Sequence, residues 1–213
     1  MHKRRIRQFA TTFIACLCLL CCWPPSSSCA AQEKPKVNET LLKGVKSAFL
    51  SNFVKYTTWP KEAFENEKSP IVITVIGKDP LGNTLDLTFK DKKPHGRKVE
   101  VQRVGLPVRQ KNMTKKEYEA AVQKAIESAQ SSHLIYYTGD QRDIRRKISD
   151  MSRDGTTITV GESKAATADG LMLGLVIVET KLRFMADFDA IKASQIKVSS
   201  RLLEVAHDPE EDE

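Results

Sequence analysis

One short segment of the sequence limits the fold more than any other, the run from Ile71 to Ile76. It is rich in β-branched residues and almost wholly apolar, with Thr74 as its one polar residue. A strand of this kind suits a sheet that is covered on both faces, because an open face would expose apolar side chains to water. Sheets covered on both faces are typically parallel, so the run indicates an α/β fold.

Helical and strand patterns alternate along the rest of the chain. Apolar residues at three- and four-residue steps from Leu41 to Tyr56 predict a first helix, which Pro60 ends. Thr114–Glu117 is a capping box that opens another helix. The remaining predicted helices are Asp79–Phe89 (with Asp79 as N-cap), Asp140–Met151, one near Ala190 and Ser199–Ala206, and the remaining strands are Lys98–Val104, His133–Tyr137, Thr156–Val160, Leu171–Val178 and Leu182–Met185. This alternation predicts a three-layer α/β domain, with a mainly parallel sheet of about six strands and an antiparallel C-terminal hairpin.

The N-terminal segment has the composition of a secretory signal peptide. Basic residues at positions 3 to 7 precede an apolar run from Phe9 to Trp23, which ends at Pro24–Pro25. As a helix, this run reaches only about 22 Å, less than the ~30 Å hydrocarbon core of a bilayer. We therefore expect cleavage after Ala31, with cleavage after Ala30 as the alternative, and a periplasmic or secreted protein.

All five cysteines lie in this segment, the last of them Cys29. A lipoprotein signal with an acylated Cys29 is the less favoured alternative, because Ser26 stands where such signals carry an aliphatic residue. A mature chain without Cys29 has no cysteine. This excludes a disulfide framework, a thiolate metal site and a cysteine nucleophile.

Removal of the predicted signal also changes the charge of the chain. The segment contains four of the 34 basic residues and no acidic residue, which leaves 30 basic against 27 acidic residues, a net charge of +3. This near balance gives no indication of nucleic-acid binding. The predicted organisation is a signal peptide over 1–31, a polar lead over 32–40, one α/β domain over 41–206 and an acidic tail over 207–213.

A glycine-rich turn follows the Ile71–Ile76 strand and contains Gly77, Asp79 and Gly82. Its spacing is that of a P-loop, but Asn83 stands where the phosphate-binding lysine belongs. A strand-to-helix turn is therefore the favoured interpretation, and anion binding at the helix start is the alternative. Histidines are few and scattered and there is no nucleophile elbow, so the sequence predicts no catalytic residue, metal ligand or cofactor, and hence no enzyme.

Aromatic side chains recur along the first helix and at its exit, at Phe49, Phe53, Tyr56 and Trp59, with Asn52 among them. Packing of this helix against the core is the favoured interpretation. The alternative is a surface for a partner or ligand, since aromatic residues are enriched at interfaces. Together with the glycine-rich turn, these residues form the candidate partner or ligand surface.

Several segments occur in an order and spacing that together are specific. They are Leu42–Pro60 with its Asn52–Phe53 pair and Trp59–Pro60 end, Ile71–Gly82, Pro94–Val99, His133–Tyr137, Gly170–Val178, Leu182–Phe184 and Ile196–Leu203. In this arrangement the chain resembles the YfiR-like (DUF4154) family of periplasmic proteins over residues 40–206. The resemblance implies a secreted Rossmann-like domain without catalytic activity, and the best-known member represses a membrane diguanylate cyclase by acting on its periplasmic part. Several relatives carry cysteines in the mature domain and this chain carries none, so redox control through a disulfide is not implied.

Three functions remain open from the sequence. The first is a non-catalytic regulator that docks on a membrane-bound sensor or cyclase and acts on cyclic-di-GMP signalling. The second is a module that binds a small molecule outside the strand ends, near Gly77–Gly82 and Tyr137–Asp140. The third and least favoured is an exported hydrolase whose carboxylates are brought together by the fold. A homodimer is a further alternative for the assembly.

Overall fold

The computed structural model describes residues 38–153 and 155–208. The predicted signal peptide with its cleavage position, Cys29, and positions 209–213 of the acidic tail lie outside these ranges and stay predictions. Within the two ranges, no helix is both long enough and apolar enough to cross a bilayer.

The described residues contain eight strands, six of which form the central sheet. The strands are β1 Thr57–Thr58, β2 Ile71–Ile76, β3 Val99–Val104, β4 Leu134–Tyr137, β5 Ile158–Glu162, β6 Leu173–Val178, β7 Lys181–Ala186 and β8 Lys197–Val198. The order in the central sheet is β3-β2-β4-β5-β6-β7, in which neighbouring strands are parallel except for the antiparallel β6–β7 pair. The mainly parallel sheet and its antiparallel C-terminal hairpin are therefore confirmed.

Helices cover both faces of this sheet. They are α1 Glu39–Tyr56, α2 Asn83–Phe89, α3 Lys115–Glu127, α4 Arg142–Ser152, α5 Ala165–Ala168, α6 Phe188–Ala193 and α7 Ser200–Leu203. Buried side chains of α1, α2, α6 and α7 belong to one apolar cluster, and those of α3, α4 and α5 belong to a second. The three-layer prediction is confirmed by this division.

Alternation along the strands separates the two clusters. In β4, Leu134 and Tyr136 point into the α1 cluster, while Ile135 and Tyr137 point into the α3–α4 cluster. All four side chains are fully buried. Both faces of a central parallel strand are thus apolar, which is the physical reason that Ile71–Ile76 is a reliable signal of this fold.

The start of α2 corrects one sequence prediction. The helix begins at Asn83 and not at Pro80, and Gly82, with a φ of 52°, is its N-cap. Asp79 accepts hydrogen bonds from the N–H groups of Leu81 (2.8 Å) and Gly82 (3.1 Å), so its carboxylate closes a turn and does not cap the helix. An Asp–Pro pair favours both structures, and here the local turn is formed.

Smaller differences concern the ends of other elements. Helix α4 begins two residues later than predicted, because Gln141 is still extended (φ −76°, ψ 116°). Strand β5 begins at Ile158, where pairing with Leu134 starts, and continues to Glu162. The four-residue helix α5 was not predicted, since so short a segment has no usable periodicity.

A second, two-stranded sheet was also missed. Strand β1 follows α1 directly and pairs antiparallel with β8, with Thr57 opposite Val198 and Thr58 opposite Lys197. The N–H of Ser199 also donates to the carbonyl of Tyr56 (2.9 Å). The exit of the first helix is thereby tied to the C-terminal segment.

Candidate functional site

The strand order places a topological switch between β2 and β4. The chain continues from β2 to β3 on one side, and then crosses to β4 on the other side of β2. In open α/β sheets, ligands bind outside the carboxyl ends of the strands at such a point. The residues at this place are Gly77 and Lys78 after β2, and Thr138 and Gly139 after β4.

Thr138 joins the two loops at the switch point. Its hydroxyl donates to the carbonyl of Lys78 (2.7 Å) and lies 3.3 Å from the carbonyl of Ile76. A Cβ atom at Gly77 would lie 2.9 Å from the Thr138 hydroxyl, and the φ of Gly77 is +105°. The first glycine of the glycine-rich turn is therefore required by this close approach.

The rest of the glycine-rich turn is held by Arg103 on β3. Its Nε donates to Asp79 (2.7 Å), one terminal nitrogen donates to the carbonyl of Gly82 (3.0 Å), and the guanidinium also binds Asp86. Partial burial raises the pKa of Asp79, but the hydrogen bonds from Arg103 and from the backbone outweigh it and leave the pKa below its ordinary value. Two of the N–H groups that an anion could use at this turn, those of Leu81 and Gly82, are thus already bound by Asp79.

A second ionic cluster lies close to this turn, and sequence reasoning missed it. Lys46 of α1 binds Glu162 at the end of β5, with 2.5 Å between Nζ and Oε1, and the hydroxyl of Tyr136 donates to the same oxygen. The Lys46 and Glu162 side chains are 12% and 30% exposed. Burial raises the pKa of Tyr136, and the negative charge of Glu162 raises it further. Tyr136 therefore stays a neutral hydrogen-bond donor to Glu162.

Between α1 and the glycine-rich turn lies a cavity of about 400 Å³, which we call the carboxyl-end crevice. Its lining residues are Glu39, Leu42, Lys43, Lys46, Lys78, Asp79, Pro80 and Leu81. Lys46 and Asp79 connect the crevice to the two ionic clusters. In this crevice a predicted site residue, Asp79, lines a cavity at the carboxyl edge of the sheet.

The aromatic residues of α1 lie mostly inside the protein. Phe53 is fully buried, and its ring packs 6.0 Å from Phe49 and 5.2 Å from Phe184 between centroids. Phe49 and Tyr56 are partly buried, and Asn52 is exposed. The structure therefore does not bring Phe49, Asn52, Phe53 and Tyr56 together as one exposed surface.

Trp59 belongs to a separate cluster at the amino ends of the strands, the Trp59 cluster, with Phe64, His95, Arg97 and His133. The indole is 8% exposed, and the imidazoles of His95 and His133 lie edge-on to it at 6.1 and 5.9 Å. Phe64 stacks on His133 at 4.4 Å, and the Arg97 guanidinium lies 3.7 Å from the centre of the Phe64 ring. Three segments that are distant in sequence thus meet in one packed structure.

His133 is held in one tautomer within the Trp59 cluster. Its Nδ1 accepts a hydrogen bond from the Val72 N–H (3.1 Å), and its Nε2 lies 3.1 Å from the carbonyl of Ala63. These partners fit a neutral ring protonated on Nε2. Burial lowers the pKa of His133, and although the bond to Ala63 opposes this, the nearby positive charge of Arg97 adds to it. The role of His133 here is structural.

Metal binding has no support in this geometry. Among residues 38–153 and 155–208, no three His, Cys, Asp or Glu side chains are grouped so that they could hold a metal ion.

Comparison with known proteins gives one broad match. Residues 43–207 match the family model DUF4154, described as YfiR/HmsC-like. No curated protein matches the chain. Among solved structures, a conserved domain protein from Vibrio cholerae O1 biovar El Tor is similar, with a TM-score of 0.48 and 11% sequence identity over 77% of this chain. The chain spans 58% of the length of that protein.

Proposed function

The chain belongs to the YfiR/HmsC-like family, and from this premise we propose that it is a non-catalytic periplasmic regulator that docks on a membrane signalling protein of the diguanylate-cyclase type. The observation that carries the proposal is the extent of the family match. It runs from within α1 to beyond α7, so it includes every strand of the central sheet. The predicted signal peptide over 1–31 supports the periplasmic location.

The ionic groups near the switch point support a binding role over a hydrolytic one. Asp79 is engaged by Arg103, and Glu162 is engaged by Lys46 and Tyr136. A general acid or base must reach a substrate proton, and carboxylates that are held in ion pairs are less well placed for this than free ones.

Regulation by docking has a definite energetic requirement. The protein must bind one signalling state of its target more tightly than the other, because equal affinity for both states shifts nothing. Conversion of a mostly active population to a mostly inactive one requires a preference of about 10⁴-fold, or ~5.5 kcal/mol. The docking surface must therefore contain groups that fit only one state.

Deletion and complementation test the proposal. Deletion of the gene in its host should change the cyclic-di-GMP level and surface attachment, and the full chain should restore both. A matched chain without residues 1–31 should not restore them, because it is not exported. An unchanged cyclic-di-GMP level after deletion, with no membrane protein recovered by crosslinking, would contradict the proposal.

The carboxyl-end crevice gives a second candidate function, the binding of a small molecule. The observation that favours it is a cavity of about 400 Å³ beside the topological switch, lined by three lysines (Lys43, Lys46 and Lys78) and two acidic residues (Glu39 and Asp79). Thermal unfolding of the mature chain with a panel of anionic metabolites tests this function. A melting temperature that no compound raises counts against it.

A further inference from the structure

The start of helix α4 departs from the usual charge pattern of helices. Arg142, Arg145 and Arg146 lie in its first two turns, and the helix dipole disfavours cations in the first of these turns, which also contains the acidic Asp143. Gln141, the N-cap residue, provides no side-chain hydrogen bond to the helix. Where a sequence breaks a local rule without gain in folding, the position is a candidate for function.

The carboxylate of Asp169 lies close to all three arginine side chains. Asp169 lies 2.9 Å from Nε of Arg142, 2.8 Å from Nε of Arg145 and 3.9 Å from Nε of Arg146. Burial raises the pKa of Asp169, but the hydrogen bonds from Arg145 and Arg142 outweigh it, so the carboxylate is charged. Over these four side chains, three positive charges and one negative charge leave a surplus of two.

Arg145 and Asp169 form the structural part of this cluster. Both side chains are less than a tenth exposed, so each of them needs the other. Arg142 and Arg146 differ, because their side chains are 63% and 55% exposed. The buried carboxylate is already paired with Arg145, and these two exposed guanidiniums therefore carry the surplus charge.

A groove between α3 and α4 begins beside these arginines. Its volume is about 420 Å³, and its rim carries four basic residues, Arg109, Lys115, Arg146 and Lys147. Two acidic residues, Glu119 and Asp143, also line it, so the rim is net positive even without Arg142.

The floor of this α3–α4 groove is apolar. It is formed by Val122 and Ile144, each 3% exposed, and by the partly buried ring of Tyr118. A positive rim around an apolar floor fits a chain segment that presents carboxylates at its edges and one apolar side chain at its centre.

We propose that the α3–α4 groove, together with Arg142 and Arg146, is the docking surface for an acidic segment of a protein partner. The inference rests on the proposed function, in which that segment belongs to the periplasmic part of the membrane signalling protein. A second copy of this chain is disfavoured, because a two-fold contact would place this positive surface against itself. A flat anionic membrane is also disfavoured, because it leaves the concave apolar floor unfilled.

Direct binding of an acidic peptide is the first test. The probe is a labelled peptide of about eight residues of Glu and Leu, which extends to ~27 Å and so exceeds the length of α4. The same peptide with Lys in place of Glu is the control probe. The mature wild-type chain should bind only the acidic peptide, and more weakly as salt is raised.

Two charge-reversal variants decide which surface binds. R142E/R146E keeps the Arg145–Asp169 pair and should weaken binding at least about tenfold. K90E/K93E makes the same change of charge at exposed positions after α2, on the opposite face of the sheet, and should bind within about twofold of wild type. If R142E/R146E does not fold, R142Q/R146Q removes the surplus charge without adding a negative one and should also weaken binding. Equal loss in K90E/K93E, or no loss at the arginines, overturns the proposal.

A third test separates this surface from the proposed function. A photocrosslinking residue at Gln141, which lines the groove, should capture an acidic segment of a membrane protein, and one at Lys93 should not. Binding to phosphatidylglycerol vesicles but not to the acidic peptide overturns the proposal in favour of a lipid surface. If wild-type protein leaves cyclic-di-GMP unchanged, the proposed function fails. If R142E/R146E restores the deletion strain as well as wild type does, only the docking surface fails.

Discussion

The two ends of the central sheet are stabilised by different chemistry. At the amino end, the Trp59 cluster packs an indole, a phenyl ring and two imidazoles, and Arg97 lies over one ring. At the carboxyl end, Asp79 with Arg103 and Lys46 with Glu162 are ion pairs that hold a turn and a helix.

The segments that carry the family resemblance reach both ends of the sheet, but they are used differently there. The Trp–Pro, Pro–His–Gly–Arg and strand-start segments that carry the family resemblance supply the amino end, where the side chains are packed against one another. The Ile71–Gly82 segment, which also carries the resemblance, supplies the glycine-rich turn at the other end, where the cavity and the topological switch lie. The matching residues of the amino end are therefore packed as part of the fold, whereas one matching segment at the carboxyl end also lines a cavity.

The largest expected effect is at the amino end. Replacement of Trp59 by Ala should lower the free energy of unfolding by about 3–5 kcal/mol, because it leaves a cavity between two imidazoles. Urea denaturation measures this, with Asn52→Ala as the exposed control, expected to change stability by less than about 0.5 kcal/mol.

A milder change at the same position sharpens this prediction. Within the described residues the buried indole N–H of Trp59 has no hydrogen-bond partner. Trp59→Phe keeps an aromatic ring and removes that N–H, so it should cost much less than Trp59→Ala. Equal costs for the two substitutions would show that ring packing does not stabilise the amino end.

At the carboxyl end, Lys46→Ala should lower the free energy of unfolding by about 2 kcal/mol, because it leaves Glu162 partly buried without its cation. The double variant Lys46→Met with Glu162→Gln should recover part of this loss, since no unpaired charge remains. A double-mutant cycle in urea measures the coupling. Additive costs would mean that the ion pair does not contribute to the stability of this end.

Gly77→Ala should lower the free energy of unfolding by about 1–2 kcal/mol. An alanine there is strained at a φ of +105°, and its Cβ approaches the Thr138 hydroxyl. Gly44→Ala is a matched control within α1, where a Cβ meets no atom within 4 Å, and should be neutral or stabilising. Thermal unfolding of both variants checks the pair. A neutral Gly77→Ala would mean that the loops at the switch point can separate freely.

The smallest expected effect is a difference in pH dependence. The pKa of His133 is lowered in the folded state. Its contribution to the free energy of unfolding is therefore fully present above the ordinary pKa of about 6.5 and is lost as pH falls through the folded-state pKa. The pKa of Asp79 is also lowered, so its contribution is present above about 3.8 and is lost as pH falls through its own folded-state pKa.

The two ends should therefore weaken in different pH windows. His133→Gln should remove the loss of stability that begins below about pH 6.5 and leave the loss at lower pH unchanged. Urea midpoints measured from pH 7 down to about pH 2, a range that includes both windows, test this. A slope that persists in His133→Gln would assign the loss to groups other than His133.

The local pattern of apolar and polar residues predicted the three layers of the fold well. Ile71–Ile76 is a strand at the positions expected. A strand that is covered on both faces has apolar side chains at consecutive positions, and this run is visible in the sequence. The capping box at Thr114 is also formed as predicted. The start of α2 was predicted wrongly, because Asp79 could either close a turn or cap a helix, and only the position of Arg103 in space favours the turn.

The candidate site was predictable only in part. Asp79 lines the crevice and was singled out, but Lys46, Tyr136 and Glu162 lie on three separate elements. No local period connects them, and each residue alone looks like an ordinary helix or strand position. The arginines of α4 did leave a signal, since three cations at a helix start oppose the helix dipole.

The small β1–β8 ladder has a consequence for the order of assembly. Its two strands come from near the beginning and near the end of the described chain. A polypeptide emerges from the ribosome N-terminus first, so α1 is available early and its closing partner late. The exit of the first helix therefore cannot pair until Lys197 and Val198, near the end of the described residues, have been made. A chain that is truncated before β8 lacks this pairing, so the ladder forms only after nearly all of the described residues are available.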